Sequence, residues 1–329
     1  MNRRFRAVLA AGVILAATAS ASASAAFTVP PDHVGEIVGM AWDEETARLW
    51  LAGEEADDGT LIGLTEDGEQ AQLTWNADIA SVEALALSGG ALFVGDLGNP
   101  DLDRDTLTIF RFGDTQPGRK QYRAYVLEYP DGPRDAQAMM VSGRGRIYIA
   151  TTGDDPGIYR APENPSRTST DTLTRVADAP EGVTDGVFLD DGSTLVLRAA
   201  DGVHVIDAFS WETEAVETYV NGPEGESVAA MGDTLLFSAG GVVREAEVPT
   251  SDTTTTLEPV ASPEPSPEPS PEPSTPVPTG AEGTPSPAPT AGPAAPTGAT
   301  PRNTGTLVAL VVAGVVAIAA GATTYFVKG

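Results

Sequence analysis

An all-β fold, a β-propeller with five blades favoured over six, is what the sequence predicts, and three observations predict it. Between residues 26 and 249, short β-branched and aromatic runs are cut by Gly, Asp, Asn and Pro roughly every eight to twelve residues, the spacing of strands joined by tight turns. A pattern of about 45 residues recurs five times through the same stretch, and a period of about 40 to 50 residues is that of propeller blades. Each copy opens on a strand of small residues, which suits the crowded axis where inner strands converge.

The elements follow in order. Asn2-Arg3-Arg4-Phe5-Arg6 is a basic start, residues 7–17 an apolar run and Ala23-Ser24-Ala25 a small-residue cleavage pattern. Residues 1–25 therefore read as a signal peptide, with the mature chain beginning at Ala26 or Phe27. The domain, residues 26–249, pairs a small-residue strand with a bulkier one in each copy. The pairs are Gly39-Met40-Ala41-Trp42 with Arg48-Leu49-Trp50-Leu51, Ala84-Leu85-Ala86-Leu87 with Ala91-Leu92-Phe93-Val94, and Ala138-Met139-Met140-Val141 with Arg146-Ile147-Tyr148-Ile149. Gly186-Val187-Phe188-Leu189 with Thr194-Leu195-Val196-Leu197, and Ser227-Val228-Ala229-Ala230 with Thr234-Leu235-Leu236-Phe237, complete the set. The fifth unit lacks a last strand after residues 242–248, and a strand at residues 27–29 is expected to supply it and close the ring.

Residues 250–303 are mostly Pro, Ser, Thr, Ala, Gly and Glu, with the repeat that begins Ser262-Pro263-Glu264-Pro265. Almost nothing here has an apolar side chain to bury, so the segment is expected to be a disordered stalk with a reach on the order of 150 Å. Residues 304–329 form the anchor: residues 307–327 carry no charge, and about 20 residues at about 1.5 Å each cross a hydrocarbon core of about 30 Å. The expected topology is a single pass with the domain outside the cell and a minimal cytoplasmic tail of Lys328 and Gly329. Asn303-Thr304-Gly305 matches a sortase signal only in part, since Pro301 and Arg302 stand where Leu and Pro belong, so the helix is preferred to wall attachment.

Asp96-Leu97-Gly98-Asn99, Leu107-Thr108-Ile109-Phe110-Arg111, Tyr129-Pro130-Asp131-Gly132-Pro133-Arg134-Asp135-Ala136-Gln137-Ala138 and Val183-Thr184-Asp185-Gly186 resemble the landmarks of a family of secreted or membrane-anchored actinobacterial β-propeller proteins. The resemblance implies export and a propeller and supplies no reaction. Members usually read Gly-Asp-Asn where Gly98-Asn99-Pro100 stands and Asp-Ala-Glu-Ala where Gln137 replaces the glutamate.

The chemistry is restricted by composition. A formal charge of −28 lacks the basic footprint that phosphate backbones require, so no nucleic-acid partner is expected. The absence of cysteine excludes disulfides, thiolate metal sites and a cysteine nucleophile. His33 and His204 are the only histidines, too few for a three-histidine metal site, and no Gly-x-Ser-x-Gly elbow is present. Alignment of the repeats places Val38, Glu83, Gln137, Asp185 and Glu226 just before the inner strands. Glu83, Gln137, Asp185 and Glu226 are thus candidate ligand-binding groups at the channel mouth, where clustered carboxylates call for a cation, with Ca²⁺ the candidate cofactor. Asp101, Asp103 and Asp105 alternate like a calcium loop but lack its glycine and distal glutamate, and a solvated turn is the simpler reading. Trp42, Trp50, Trp75 and Trp211 read as packing residues, with a rim tryptophan able to stack on a sugar. The expected function is a cell-surface module that binds an extracellular ligand or protein. The alternative is an extracellular hydrolase using channel-mouth carboxylates such as Glu83 and Glu226.

Overall fold

The computed structural model describes residues 25–29, 36–220, 227–239 and 242–256. The expected signal peptide up to residue 24, the expected stalk from residue 257 and the expected membrane helix lie outside these residues, as do His33 and Glu226.

The described chain is a five-bladed β-propeller. Strand β1 (Ala25–Thr28) precedes the first blade, which comprises β2 (Gly39–Asp43), β3 (Arg48–Ala52), β4 (Thr60–Leu64) and β5 (Gln70–Thr74). The second blade has β6 (Val82–Ser88), β7 (Ala91–Asp96), β8 (Thr106–Phe112) and, after the short β9 (Gly118–Arg119), β10 (Tyr122–Glu128). In the third, β11 (Ala136–Val141), β12 (Ile147–Thr151) and β13 (Gly157–Arg160) are followed by the short β14 (Asp171–Thr172) and by β15 (Thr174–Asp178). The fourth is β16 (Val183–Phe188), β17 (Thr194–Ala199), β18 (Gly202–Asp207) and β19 (Thr213–Val220). The fifth has β20 (Val228–Met231), β21 (Thr234–Ala239) and β22 (Val242–Glu247), and β23 (Thr253–Thr256) ends the described chain.

Ring closure matches the expectation from sequence. β1 pairs antiparallel with β22, Phe27 opposite Val243, and becomes the outermost strand of the fifth blade. Three short strands are added in parallel to outer edges: β9 to β5, β14 to β10 and β23 to β19. Each reaches back from one blade to the preceding one, covering an edge that would otherwise present unpaired backbone groups. The last corrects a boundary: β-structure continues to Thr256, past the expected domain end at residue 249. Four threonines in a row satisfied the composition rule for a stalk, yet they pair along a strand edge.

The core lies between blades. One cluster joins Phe93, Leu107, Ile109 and Leu127 of the second blade to Met139, Ile149 and Tyr159 of the third, and similar clusters fill the other seams. Trp50 is fully buried, and Trp75 packs edge-on to Phe112 at 5.3 Å. Small residues permit close approach at the axis. A Cβ on Gly39 would lie 2.7 Å from the Leu85 backbone nitrogen, so Gly39→Ala must push the first two inner strands apart. A loss of about 1–3 kcal/mol is expected, read by chemical denaturation, and an unchanged midpoint would contradict this packing.

Candidate functional site

The propeller has two ends. At the entry end each inner strand begins, and at the hairpin end it turns into the second strand of its blade. The sequence-based site belongs to the entry end, and the structure rearranges it.

In three blades the inner strand begins with a bulge. Pairing skips from Val82 to Ala84, from Ala136 to Ala138 and from Val183 to Asp185, so the extra residues are Glu83, Gln137 and Thr184. Asp185 is therefore equivalent to Ala84 and Ala138, one place later than the repeat alignment put it. A one-residue shift moves a strand side chain to the opposite face. Ala84 and Ala138 are fully buried, and so is Asp185. Its Oδ1 accepts the Gly186 amide at 2.8 Å, and its Oδ2 accepts the Val228 amide of the fifth blade at 3.0 Å. Burial pushes its pKa well above the usual carboxylate range, and the two amide bonds oppose that rise. Asp185 is a tie between blades, withdrawn from the channel mouth.

Related ties occur at other seams of this end. Asp57 Oδ1 accepts the Val82 amide at 2.7 Å, Asp135 Oδ1 accepts the Asn99 amide at 2.7 Å, and Ser227 Oγ donates to the Ile37 carbonyl at 3.0 Å. Glu83 is half-buried and accepts a hydrogen bond from Ser81 Oγ at 2.6 Å. Burial raises its pKa, the negative charges of Asp135, Asp57 and Glu36 raise it further, and the Ser81 bond lowers it. A Cβ on Gly98 would strike Glu83 Oε1 and Ser81 Oγ, so glycine there leaves room for the pair. Glu83 could hold or release a proton, and Gln137 lies half-buried at the equivalent bulge of the next blade.

Among the described residues no group of three or more acidic or histidine side chains could hold a metal ion. Asp101, Asp103 and Asp105 are exposed, and their loop is organised by Asn99. Asn99 Oδ1 accepts the amides of Asp103 and Arg104, each at 3.1 Å, while its Nδ2 donates to the Arg104 carbonyl at 3.0 Å. Arg104 in turn pairs with Asp96 at 2.9 Å, which also accepts the Ser81 amide. The turn reading of this segment accounts for its geometry. His204 lies within β18, its Nε2 2.9 Å from Asp201.

The hairpin end differs in chemistry. On the axis, Met40, Leu85 and Met140 help line a cavity of about 140 Å³, together with Glu44 and Asp190. Farther out, two larger clefts adjoin each other around the β11–β12 hairpin. One, of about 580 Å³, is lined by Arg144, Arg146 and Arg160 together with Tyr148, Phe209 and Trp211. The other, of about 460 Å³, is lined by Arg111, Arg123, Arg144 and Arg167 with Phe93 and Tyr125. Arg144 and Glu163 belong to both. Among the described residues, Arg146 alone of these arginines has a carboxylate in ion-pair range, Glu163 at 3.5 Å. Five guanidinium groups thus face solvent without an acidic partner in a strongly acidic chain. This cluster was missed in the sequence because the net charge was averaged over the whole length. More than half of the 19 lysines and arginines fall between residues 104 and 175, and that asymmetry was the available signal.

No family profile and no curated protein matches the chain. Among solved structures it is similar to the PQQ-bound aldose sugar dehydrogenase from Streptomyces coelicolor, at 12% identity over 70% of this chain and 99% of the other, with a TM-score of 0.43. A nidogen–laminin complex aligns at 16% identity over 64% and 75% of the two chains, TM-score 0.42. Virginiamycin B lyase from Staphylococcus aureus aligns at 14% identity over 68% and 87%, TM-score 0.39. An oxidoreductase, a protein–protein complex and a lyase have no chemistry in common, and at this distance the likeness transfers none.

Proposed function

We propose that this chain is a cell-surface binding module that meets its ligand with the hairpin end of blades two to four. The observation that carries the reading is the set of five unpaired arginines lining adjoining clefts in a chain of net charge −28. Like charges repel, and a surface with so many carboxylates has ample means to neutralise them, so an uncompensated basic cleft is a place for an anion. The predicted signal peptide and anchor, and the resemblance to exported actinobacterial propellers, support display outside the cell. β23 runs parallel to β19 and finishes at the entry end, so the described chain leaves the propeller from the end opposite the clefts. A stalk continuing from Thr256 leaves the hairpin end open to ligand.

A second reading, an extracellular hydrolase, is favoured by one feature: the raised pKa of half-buried Glu83 suits a general acid. The two readings are separated by comparing Glu83→Gln with Arg144→Ser. Sedimentation with isolated cell envelopes is expected to be lost in Arg144→Ser and kept in Glu83→Gln. If Glu83→Gln instead abolishes turnover of a wall glycan or ester while the protein stays folded, the hydrolase reading replaces the binding one.

A further inference from the structure

We infer that the two arginine clefts form one continuous site for an anionic oligosaccharide, with sugar rings stacked on aromatic side chains and sulfate, phosphate or carboxylate substituents held by guanidinium groups. The inference rests on the binding reading above and names its ligand.

Shape is the first argument. At about 580 and 460 Å³, each cleft falls in the range of roughly 300–1,000 Å³ typical of small-molecule sites. Arg144, at the tip of the β11–β12 hairpin, lines both, so an elongated ligand can cross from one to the other without leaving the basic surface. A concave site on the turns of neighbouring blades suits a chain of rings better than a flat membrane.

The second argument is the aromatic platform. Trp211 has φ +63°, a left-handed conformation that costs a bulky side chain energy and that persists only where the surroundings impose it. The surroundings are visible. Asp207 Oδ1 accepts the amides of Phe209 at 3.0 Å and Ser210 at 2.6 Å, and the Trp211 amide donates to the Asp207 carbonyl at 2.8 Å. This tight turn places Phe209 in the cleft wall, 77% exposed, and holds the Trp211 ring 5.5 Å from Tyr148. A strained tryptophan and an exposed phenylalanine beside three arginines give flat apolar faces next to charge, the combination that the face of a sugar ring and its anionic substituent would fill.

Charge is the third. The acidic groups in the clefts are already engaged: Glu163 faces Arg146, and Asp191 accepts the amides of Ser193 and Thr194, both at 2.8 Å. The remaining guanidinium groups are free to take bidentate hydrogen bonds from sulfate, phosphate or carboxylate. The strongly acidic remainder of the chain opposes long polyanions, which favours short segments over nucleic acid.

The test titrates the full chain with short oligosaccharides bearing sulfate, carboxylate or phosphate, and follows tryptophan fluorescence and heat. A neutral oligosaccharide of equal length, hexaglutamate and a single-stranded DNA oligonucleotide are the comparisons. At least one anionic sugar is expected to bind more tightly than all three, with affinity falling as salt rises. Arg144→Ser is expected to weaken that binding roughly tenfold or more. Trp211→Gly relieves the backbone strain, so the protein should stay folded while the preference for sugar over hexaglutamate disappears. Tighter binding of hexaglutamate or DNA, still lost in Arg144→Ser, would overturn the sugar assignment and leave the binding module standing. Binding of no anion, or binding indifferent to Arg144→Ser and Trp211→Gly, overturns both.

Discussion

Replacing Asp185 by alanine is expected to destabilise the propeller by about 2–5 kcal/mol, because the amides of Gly186 and Val228 would lose their acceptor inside a dry seam. Asp185→Asn keeps one acceptor and cannot ionise, so it should cost less, and its deficit should vary with pH. In the unfolded chain the carboxyl ionises near its ordinary value of 3.8, whereas burial delays ionisation in the folded protein to higher pH. Between those two values the unfolded state binds fewer protons, so the wild-type protein loses stability as pH rises. The contribution is complete below about 3.8 and fades toward the folded pKa. The gap between wild type and Asp185→Asn should therefore be widest in acid and narrow toward neutrality. Urea denaturation of the three proteins from pH 4 to pH 7 measures it, and a gap that does not change with pH would refute the burial argument.

Removal of the closing strand should have the larger effect. Phe27 is 3% exposed, packs 5.9 Å from Trp42 and belongs to one cluster with Ile37, Met40 and Leu49 of the first blade and Leu236 and Val243 of the fifth. It contributes to the core that the two ends of the ring share. Phe27→Ala is expected to cost about 3–5 kcal/mol. A chain beginning at residue 36 loses the strand altogether and exposes the β22 edge, so it should associate through that edge and unfold without a cooperative transition. Chemical denaturation and size-exclusion chromatography test both. A Phe27→Ala protein within 0.5 kcal/mol of wild type would show that closure depends on the backbone pairing alone. The predicted cleavage after Ala25 spares Phe27, so the mature chain would retain this contact.

The candidate site was only partly legible. Glu83 lies at the bulge that opens β6, near the carboxylates of Asp135, Asp57 and Glu36, and the repeat pattern alone locates it. Asp185 was put on the wrong face by a single residue. A bulge adds a residue without changing the hydrophobic rhythm that the alignment followed, so the shift from Thr184 to Asp185 could not be read from it. The calcium-like spacing of Asp101, Asp103 and Asp105 proved to be a loop built on Asn99, whose hydrogen bonds depend on a neighbour 36 residues away, Asp135.

What the sequence determined by itself was the all-β character, the five-fold repeat, the strand that closes the ring and the order of strands within each blade. These follow from local periodicity and turn chemistry, which act over a few residues. What only the tertiary structure decided was which polar groups are engaged in seams and which remain free. Arg111, Arg123, Arg144, Arg160 and Arg167 come from five separate strands and loops, and nothing in their spacing distinguishes them from surface residues paired with carboxylates. Ring closure brings the hairpin ends of adjacent blades side by side. Electrostatic pairing depends on that through-space proximity, so the folded ring had to form before a basic cleft could be told from an acidic average.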